Sequence, residues 1–259
     1  NVESDFNKIL GKIEAVRGGK PYNLQSVIND SILRYTAKGD KFTLHVPRKE
    51  TIPSKVEKSN DFISIDMGIR SPLTCLPSTE PQINFGEDLQ KEIRNNLIWL
   101  ETLKEKGYNK KFRRKWKKKL KAKIHNKVTD FHWQTCNVLT KCVDKIVVGD
   151  LNVKSIISKE NDTITDLDKK VLIKLRLRGF IQKLKYKCVS RNCSLTLVNE
   201  AYTSKVCSNC GNYKADLGGN KTYNCDNIDC GQVIDRDVNA CINILYKSSI
   251  GKYCRDFQN

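Results

Sequence analysis

No run of eighteen consecutive apolar residues occurs in this chain of 259 residues, so nothing in it reads as a membrane-spanning helix. No apolar signal segment opens it, which argues against a secreted module stapled by disulfides. The first residue is not methionine, and the expectation from that is a processed or partial product. No internal repeat is apparent. Acidic residues are in deficit: 29 Asp and Glu stand against 47 Lys and Arg, a net charge of +18. That imbalance predicts a polyanionic partner. The length suits one large domain or two small ones.

Cysteine, by contrast, is plentiful at 11 residues. Four of them, Cys207, Cys210, Cys225 and Cys230, form two close pairs, C-x2-C and C-x4-C, separated by fourteen residues. A knuckle of two close thiolates aims both sulfurs at one ion, and a second knuckle completes a tetrahedron. Gly211 and Gly231 follow the two pairs, where the backbone must turn toward sulfur. A closed all-sulfur site is structural, so the expectation is a zinc ribbon. The other seven cysteines are scattered, as suits a reducing compartment.

The rest of the chain reads as a layered α/β domain with a mixed sheet. Residues 1–60 form a short β-rich piece, with turn signals at Gly18-Gly19 and Gly39-Asp40, an alternating KFTLHVP at 41–47 and a polar linker Lys55 to Asn60. Strands are expected at 62–68, 71–77, 146–150 and 194–200. Residues 84–143 read as helical, with Leu89, Ile93, Leu97, Ile98 and Leu100 on one face and a break at Gly107. A basic segment and then a more apolar helix follow. Asp166 to Tyr186 reads as one basic amphipathic helix, and 235–247 as the last helix.

Two carboxylates stand out. Asp66 lies inside an apolar strand, where a buried aspartate is costly unless paired or metal-bound. Asp237 lies at the start of the last helix, two residues beyond Asp235, which reads as the N-cap. Aspartates from distant segments converging at sheet ends fit two-metal phosphodiester hydrolysis, with magnesium the ion suited to oxygen ligands. Capping and strand-edge roles remain the plainer alternative.

Between Lys104 and Lys127 there are thirteen basic residues and one acid. Tyr108, Phe112 and Trp116 interleave at four-residue spacing, with Lys110, Arg113, Arg114, Lys117, Lys118 and Lys121 around them. Such a run is either a solvated face or a phosphate-binding surface with strong salt dependence. His125 and His132 read as packing or phosphate contacts. Lys205 and Lys221 are further candidates for nucleic-acid contact, and Thr203 and Ser204 for tightening the knuckle.

Four stretches in this order, ISIDMGIRSPLT, VVGDLNV, VNEAYTSKVCSNCG and DRDVNACINI, resemble the RuvC core of the TnpB family, whose eukaryotic and giant-virus branch is called Fanzor. The resemblance covers residues 40–248. It implies an RNase H-like fold with an inserted zinc ribbon, and a transposon-derived, RNA-guided DNA endonuclease with guide RNA and target DNA as partners. It also implies structural zinc, catalytic magnesium and a nuclear or viral-replication-site location; oligomeric state is left open. On it the chain divides into a partial wedge-like segment 1–60, a nuclease core 61–201 with basic insertion 84–143, a ribbon 202–232 and a closing segment 233–259.

The resemblance places the first catalytic aspartate on Asp66 and the last on Asp237. The middle glutamate of the family pattern falls on Gly149, which binds no metal. Either the site is dead and the chain is a zinc-containing nucleic-acid-binding protein, or another carboxylate substitutes. Glu200, at the end of the neighbouring strand, is the favoured substitute, as in the relocated glutamate of Fanzor members. Asp150 ranks lower because its side chain faces away from that of residue 149. A conventional transposase fits the ribbon less well.

Overall fold

A computed structural model describes residues 15–17, 20–22, 32–36, 41–45, 61–79, 81–158 and 164–256. The turn signals at Gly18-Gly19 and Gly39-Asp40 and the linker Lys55 to Asn60 lie outside them. The chain divides into two compact units, 1–51 and 52–259. In the first, β1 (Ala15–Arg17) pairs antiparallel with β2 (Lys20–Tyr22), and β3 (Ile32–Thr36) with β4 (Lys41–His45).

The second unit is built on a five-stranded sheet. Its strands are β5 (Phe62–Asp66), β6 (Leu73–Pro77), β7 (Ile83–Phe85), β8 (Lys145–Gly149) and β9 (Ser194–Val198), in spatial order β7-β6-β5-β8-β9. The first three run antiparallel as a meander; β8 and β9 join β5 in parallel. β7 was not foreseen, since three residues carry too little pattern to separate them from the helix that follows.

Both faces of the sheet are covered. Ile63, Ile65, Met67, Ile146 and Val148 point into the main core, against helices from the middle of the chain. Ser64 and Val147 point the other way, to the last helix, where Val147, Val198 and Ile244 form a second, smaller core. Period-two alternation therefore puts Asp66 and Gly149 on the face of the last helix.

The central helices are α1 (Glu87–Glu105), α2 (Lys110–Cys142), a short α3 (Val153–Ile156), α4 (Asp166–Leu175) and α5 (Leu177–Arg191). α1 ends as expected at Gly107, with φ of +71°. Tyr108 N–H donates to the Leu103 carbonyl and Gly107 N–H to that of Lys104, the paired bonds of a Schellman stop. Ile98, expected on the buried face, is 42% exposed instead. The basic segment and the apolar helix after it are one continuous helix, begun by Asn109, whose side chain accepts from Phe112 N–H at 2.8 Å. Burial along it starts only at Leu120, so its first turns project from the core.

The expected single helix 166–186 is two. Arg176 takes a left-handed conformation, φ 51°, between α4 and α5. The buried His132 of α2 donates from Nε2 to the freed Leu175 carbonyl at 2.9 Å, so a tertiary contact stabilises the break. The ribbon carries the hairpin β10 (Thr222–Asn224) with β11 (Val233–Asp235), and α6 (Arg236–Asp256) closes the chain. α6 lies across β5, β6, β8 and β9.

Candidate active site and cysteine cluster

β5 ends at Asp66, Glu200 lies two residues beyond the end of β9, and Asp237 is the second residue of α6. All three carboxyl groups line one cavity of about 850 Å³. Burial, then the charges of Asp237 and Glu200, push the Asp66 carboxyl up to about 8. Burial, then Asp150, push Glu200 up to about 7. Asp237 is raised mainly by burial and by Asp235. Asp235 is the N-cap, as expected: its Oδ1 accepts from Asp237 N–H at 2.9 Å and Val238 N–H at 3.3 Å. That leaves the Asp237 side chain for the cavity.

Glu200 reaches the site through the turn after β9. Thr203 N–H and hydroxyl both donate to the Glu200 carbonyl, at 3.0 and 2.7 Å, so Thr203 fixes this turn rather than the cysteine knuckle. Glu200 Oε2 is buried and has no hydrogen-bond partner among the described residues. It lies against Gly149, where β8 pairs with Val198 of β9. A Cβ on residue 149 would stand 2.9 Å from Ile244 Cδ1, 3.2 Å from Glu200 Oε2 and 3.3 Å from Glu200 Cβ. A side chain at 149 and the Glu200 side chain claim the same space. Asp150 is exposed and does not line the cavity.

The four cysteines meet. Their sulfurs all lie within 4.8 Å of one another, the one group of three or more such ligands drawn that close among the described residues. Cys207 and Cys230 sulfurs are 3.8 Å apart, Cys210 and Cys225 sulfurs 3.6 Å. A tetrahedron of zinc–sulfur bonds of about 2.3 Å has edges of about 3.8 Å, so the set fits that ion. The carboxylates share a cavity but spread wider than the thiols.

Two residues unforeseen in the sequence join ribbon to core. Asn239 Oδ1 accepts from Ser208 N–H at 2.9 Å and its amide donates to the Val206 carbonyl at 2.8 Å. Asn243, one turn on, donates to Val206 at 2.7 Å and Thr203 at 2.8 Å. Both asparagines are buried. Their spacing of four on the buried face of a helix was the available signal, because a buried amide needs partners. Arg70 and Arg236, also unforeseen, line the cavity.

Of the basic residues singled out, Lys110, Arg114, Lys117, Lys118 and Lys121 are exposed and Arg113 is half-buried. Tyr108 stacks on Phe112 with centroids 5.1 Å apart, and Trp116 meets Trp99 of α1 edge-on at 5.5 Å, so the aromatic stripe partly serves packing. Lys117 and Lys121 lie near Lys174 of α4, whose ammonium they help hold below its usual range after burial. His125 takes a hydrogen bond from Arg176 at 2.7 Å; His132 is a core residue. Lys205 donates to the Ala215 carbonyl, and Lys221 stands 3.9 Å from Asp235.

Residues 43–159 match the family described as "Probable transposase" (OrfB_IS605), and residues 178–244 the Cas12f1-like TNB domain. A TnpB-like protein of Acanthamoeba polyphaga mimivirus is 35% identical over 227 residues, covering 82% of this chain and 42% of its own length. A Streptomyces pristinaespiralis protein, named by inference as an RNA-guided DNA endonuclease, is 28% identical over 198 residues, 75% of this chain and 47% of its own. The chain thus spans less than half the length of these relatives. In fold it resembles a chain of the cryo-EM structure of a Cas12f1–sgRNA–target DNA complex: TM-score 0.51, 20% identity, covering 74% of this chain and 51% of that one.

Proposed function

Since this chain belongs to the TnpB family, we propose that it forms the nuclease part of an RNA-guided, metal-dependent DNA endonuclease, with Asp66, Glu200 and Asp237 as its catalytic carboxylates and Glu200 in the role vacated at Gly149. The observation that carries the reading is the shared space of residues 149 and 200. A site that had merely lost a carboxylate would put no constraint on residue 200. Here glycine at 149 makes the room that Glu200 fills, and its buried, unpartnered Oε2 is a ligand atom in waiting.

Three carboxyl groups on one cavity, each raised by burial, form a donor set that fits a hard divalent cation, and magnesium suits it. When bound, such ions supply the charge that acidifies an attacking water and offsets the departing oxygen. The chain's own part is placement. Asp66 is fixed by the sheet, Glu200 by its turn, and Asp237 by the start of α6. Hydrolysis bonds a water oxygen to phosphorus and breaks one P–O ester bond. The exposed cations of α2 would contact the phosphates of guide RNA and target DNA. The cysteine cluster would hold zinc and shape the ribbon.

The test uses the protein purified with its co-expressed RNA, supplied with magnesium and DNA. Wild type is compared with Asp66→Ala, Glu200→Ala and the exchange Gly149→Glu with Glu200→Gly. Loss in both single variants and return of cleavage in the exchange support relocation. Cleavage that survives Glu200→Ala removes Glu200 from the site. Tight, salt-sensitive binding without cleavage by wild type favours the alternative, a binding protein derived from a nuclease.

A further inference from the structure

Among the described residues, four cations line the carboxylate cavity: Arg70, Arg94, Lys205 and Arg236. Two are committed elsewhere. Arg94 is ion-paired with Asp168, and Lys205 is turned onto the ribbon, its ammonium 2.9 Å from the Ala215 carbonyl and 6.0 Å from the centre of the Tyr213 ring. The other two are held differently. Arg236 Nη1 donates to the Gly218 carbonyl at 3.1 Å, and Arg70 Nη2 donates to the Gly219 carbonyl. A carbonyl orients a guanidinium without cancelling its charge. Each guanidinium has five N–H donors in a planar fork, so one bond to a carbonyl leaves the others for a ligand. Both line the same cavity as Asp66, Glu200 and Asp237.

The anchoring carbonyls belong to the ribbon. Leu217, next to them, is buried with Cys207 and Tyr223 in the ribbon's own small core. Gly218 has φ of +57° and nothing within 4 Å of where a Cβ would be, so its glycine is needed for conformation rather than space. A continuous path therefore runs from the cysteine cluster through Leu217 and two carbonyls to two arginines at the cavity. Three carboxylates alone would repel a phosphodiester, and an arginine fork matches phosphate oxygens.

We propose that Arg70 and Arg236 form a phosphate clamp that binds the DNA backbone phosphate presented to Asp66, Glu200 and Asp237, and that the ribbon loop 215–219 holds the clamp in place. The cleavage role rests on the nuclease reading above; the phosphate-binding role does not. The ribbon then does more than shape the domain, because it positions the charge that receives substrate.

Two measurements on the RNA-bound protein test this. The first is single-turnover DNA cleavage in saturating magnesium by Arg70→Ala, Arg236→Ala and the corresponding lysine variants. Each alanine variant should lose on the order of 10²-fold in rate, with lysine in between. Affinity for DNA should stay within about threefold of wild type, because many other phosphate contacts remain. Gly218→Ala should slow cleavage in wild type but add nothing in the Arg236→Ala background. Both alanine variants cleaving within about threefold of wild type would overturn the clamp and leave the nuclease reading standing. The second measurement follows the arginine side-chain NMR signals, assigned with the two single variants, during titration with a thymidine tetranucleotide. Shifts at both residues in a wild type that does not cleave would keep the clamp and remove the nuclease. Absence of shifts would overturn the clamp whatever the activity.

Discussion

The cysteine cluster and the carboxylate cavity lie next to each other, joined by Asn239 and Asn243, yet they are assembled by different means. The thiols come in two pairs, each closed by a short turn; Cys207 and Cys210 are three residues apart and share a knuckle in which Gly211 N–H donates to the Cys207 carbonyl. Little beyond local geometry is needed to bring four sulfurs within 4.8 Å. The carboxylates arrive from β5, the turn after β9 and the start of α6, and only the packed sheet and helix bring them to one cavity. Local turns make a small core that a bound ion would hold together. A large apolar core makes a site that burdens the fold with buried charge.

Removing the ion should break the first region and spare the second. Cys225→Ser with Cys230→Ser, or strong chelation, should take bound zinc from one per chain to none. The ribbon's amides should lose protection from hydrogen exchange, while β5 and β8 keep theirs. The expected loss is on the order of 10 kcal/mol of ribbon folding free energy. Equal loss of protection in both regions would show that the cavity, too, depends on the ribbon's metal.

Asp66→Asn should do the reverse. Cleavage should fall on the order of 10³-fold, about 4 kcal/mol of transition-state stabilisation. The fold should gain. The Asp66 carboxyl is raised to about 8 from 3.8, so between these values the native chain holds a proton that the unfolded chain has released. Its contribution is complete below about 4 and is lost as pH rises toward 8. In magnesium-free buffer at pH 8, the asparagine variant should melt higher than wild type, and the difference should shrink as pH falls. A lower melting temperature at pH 8 would mean that the carboxylate is supported in a way the cavity does not display.

His132, outside both regions, should respond to pH with the opposite sign. Burial first, then Lys183, lowers its imidazole from 6.5 to about 4. Between these values the unfolded chain binds the extra proton, so stability is complete above about 6.5 and lost as pH falls toward 4. The loss is about 3 kcal/mol. His132→Gln should flatten this acid limb in a thermal melt and leave the alkaline slope of Asp66 untouched.

What could be read from the chain divides along the same line. The cysteine spacing, the Asp235 cap, the Gly107 stop and the alternation in β5 and β8 are short-range features, and each leaves its mark within a few residues. The anomaly at Gly149 was visible too, but only through the family resemblance, whose pattern puts a glutamate where this strand ends in glycine. What could not be read depends on distant partners. Arg70 meets Gly219 across 149 residues. The helical pattern runs unbroken through Arg176, and the break there is supported by His132 from another helix. The joining of basic and apolar segments into α2 was hidden by the change of composition after Lys127, which falls inside the helix and past Leu120, where its burial begins.

The smallest effect tests the joint itself. Asn243 donates to the carbonyls of Val206 and Thr203; Asn239 also reaches Val206, but Thr203 depends chiefly on Asn243, since its contact to Asn239 is long at 3.5 Å. Asn243→Ala therefore leaves the Thr203 carbonyl under-satisfied in a buried setting, a cost of about 1–3 kcal/mol and a drop of a few degrees in melting temperature. Thr203 also fixes the turn that carries Glu200, so loosening it acts on the cavity as well as the ribbon. Zinc content should stay at one per chain, because no thiol is touched. Cleavage should nonetheless fall by more than DNA affinity does. A variant that melts lower but cleaves at the wild-type rate would show that the ribbon is merely attached to the carboxylate cavity. A slower variant with zinc in place would show that the asparagine pair sets the geometry of both.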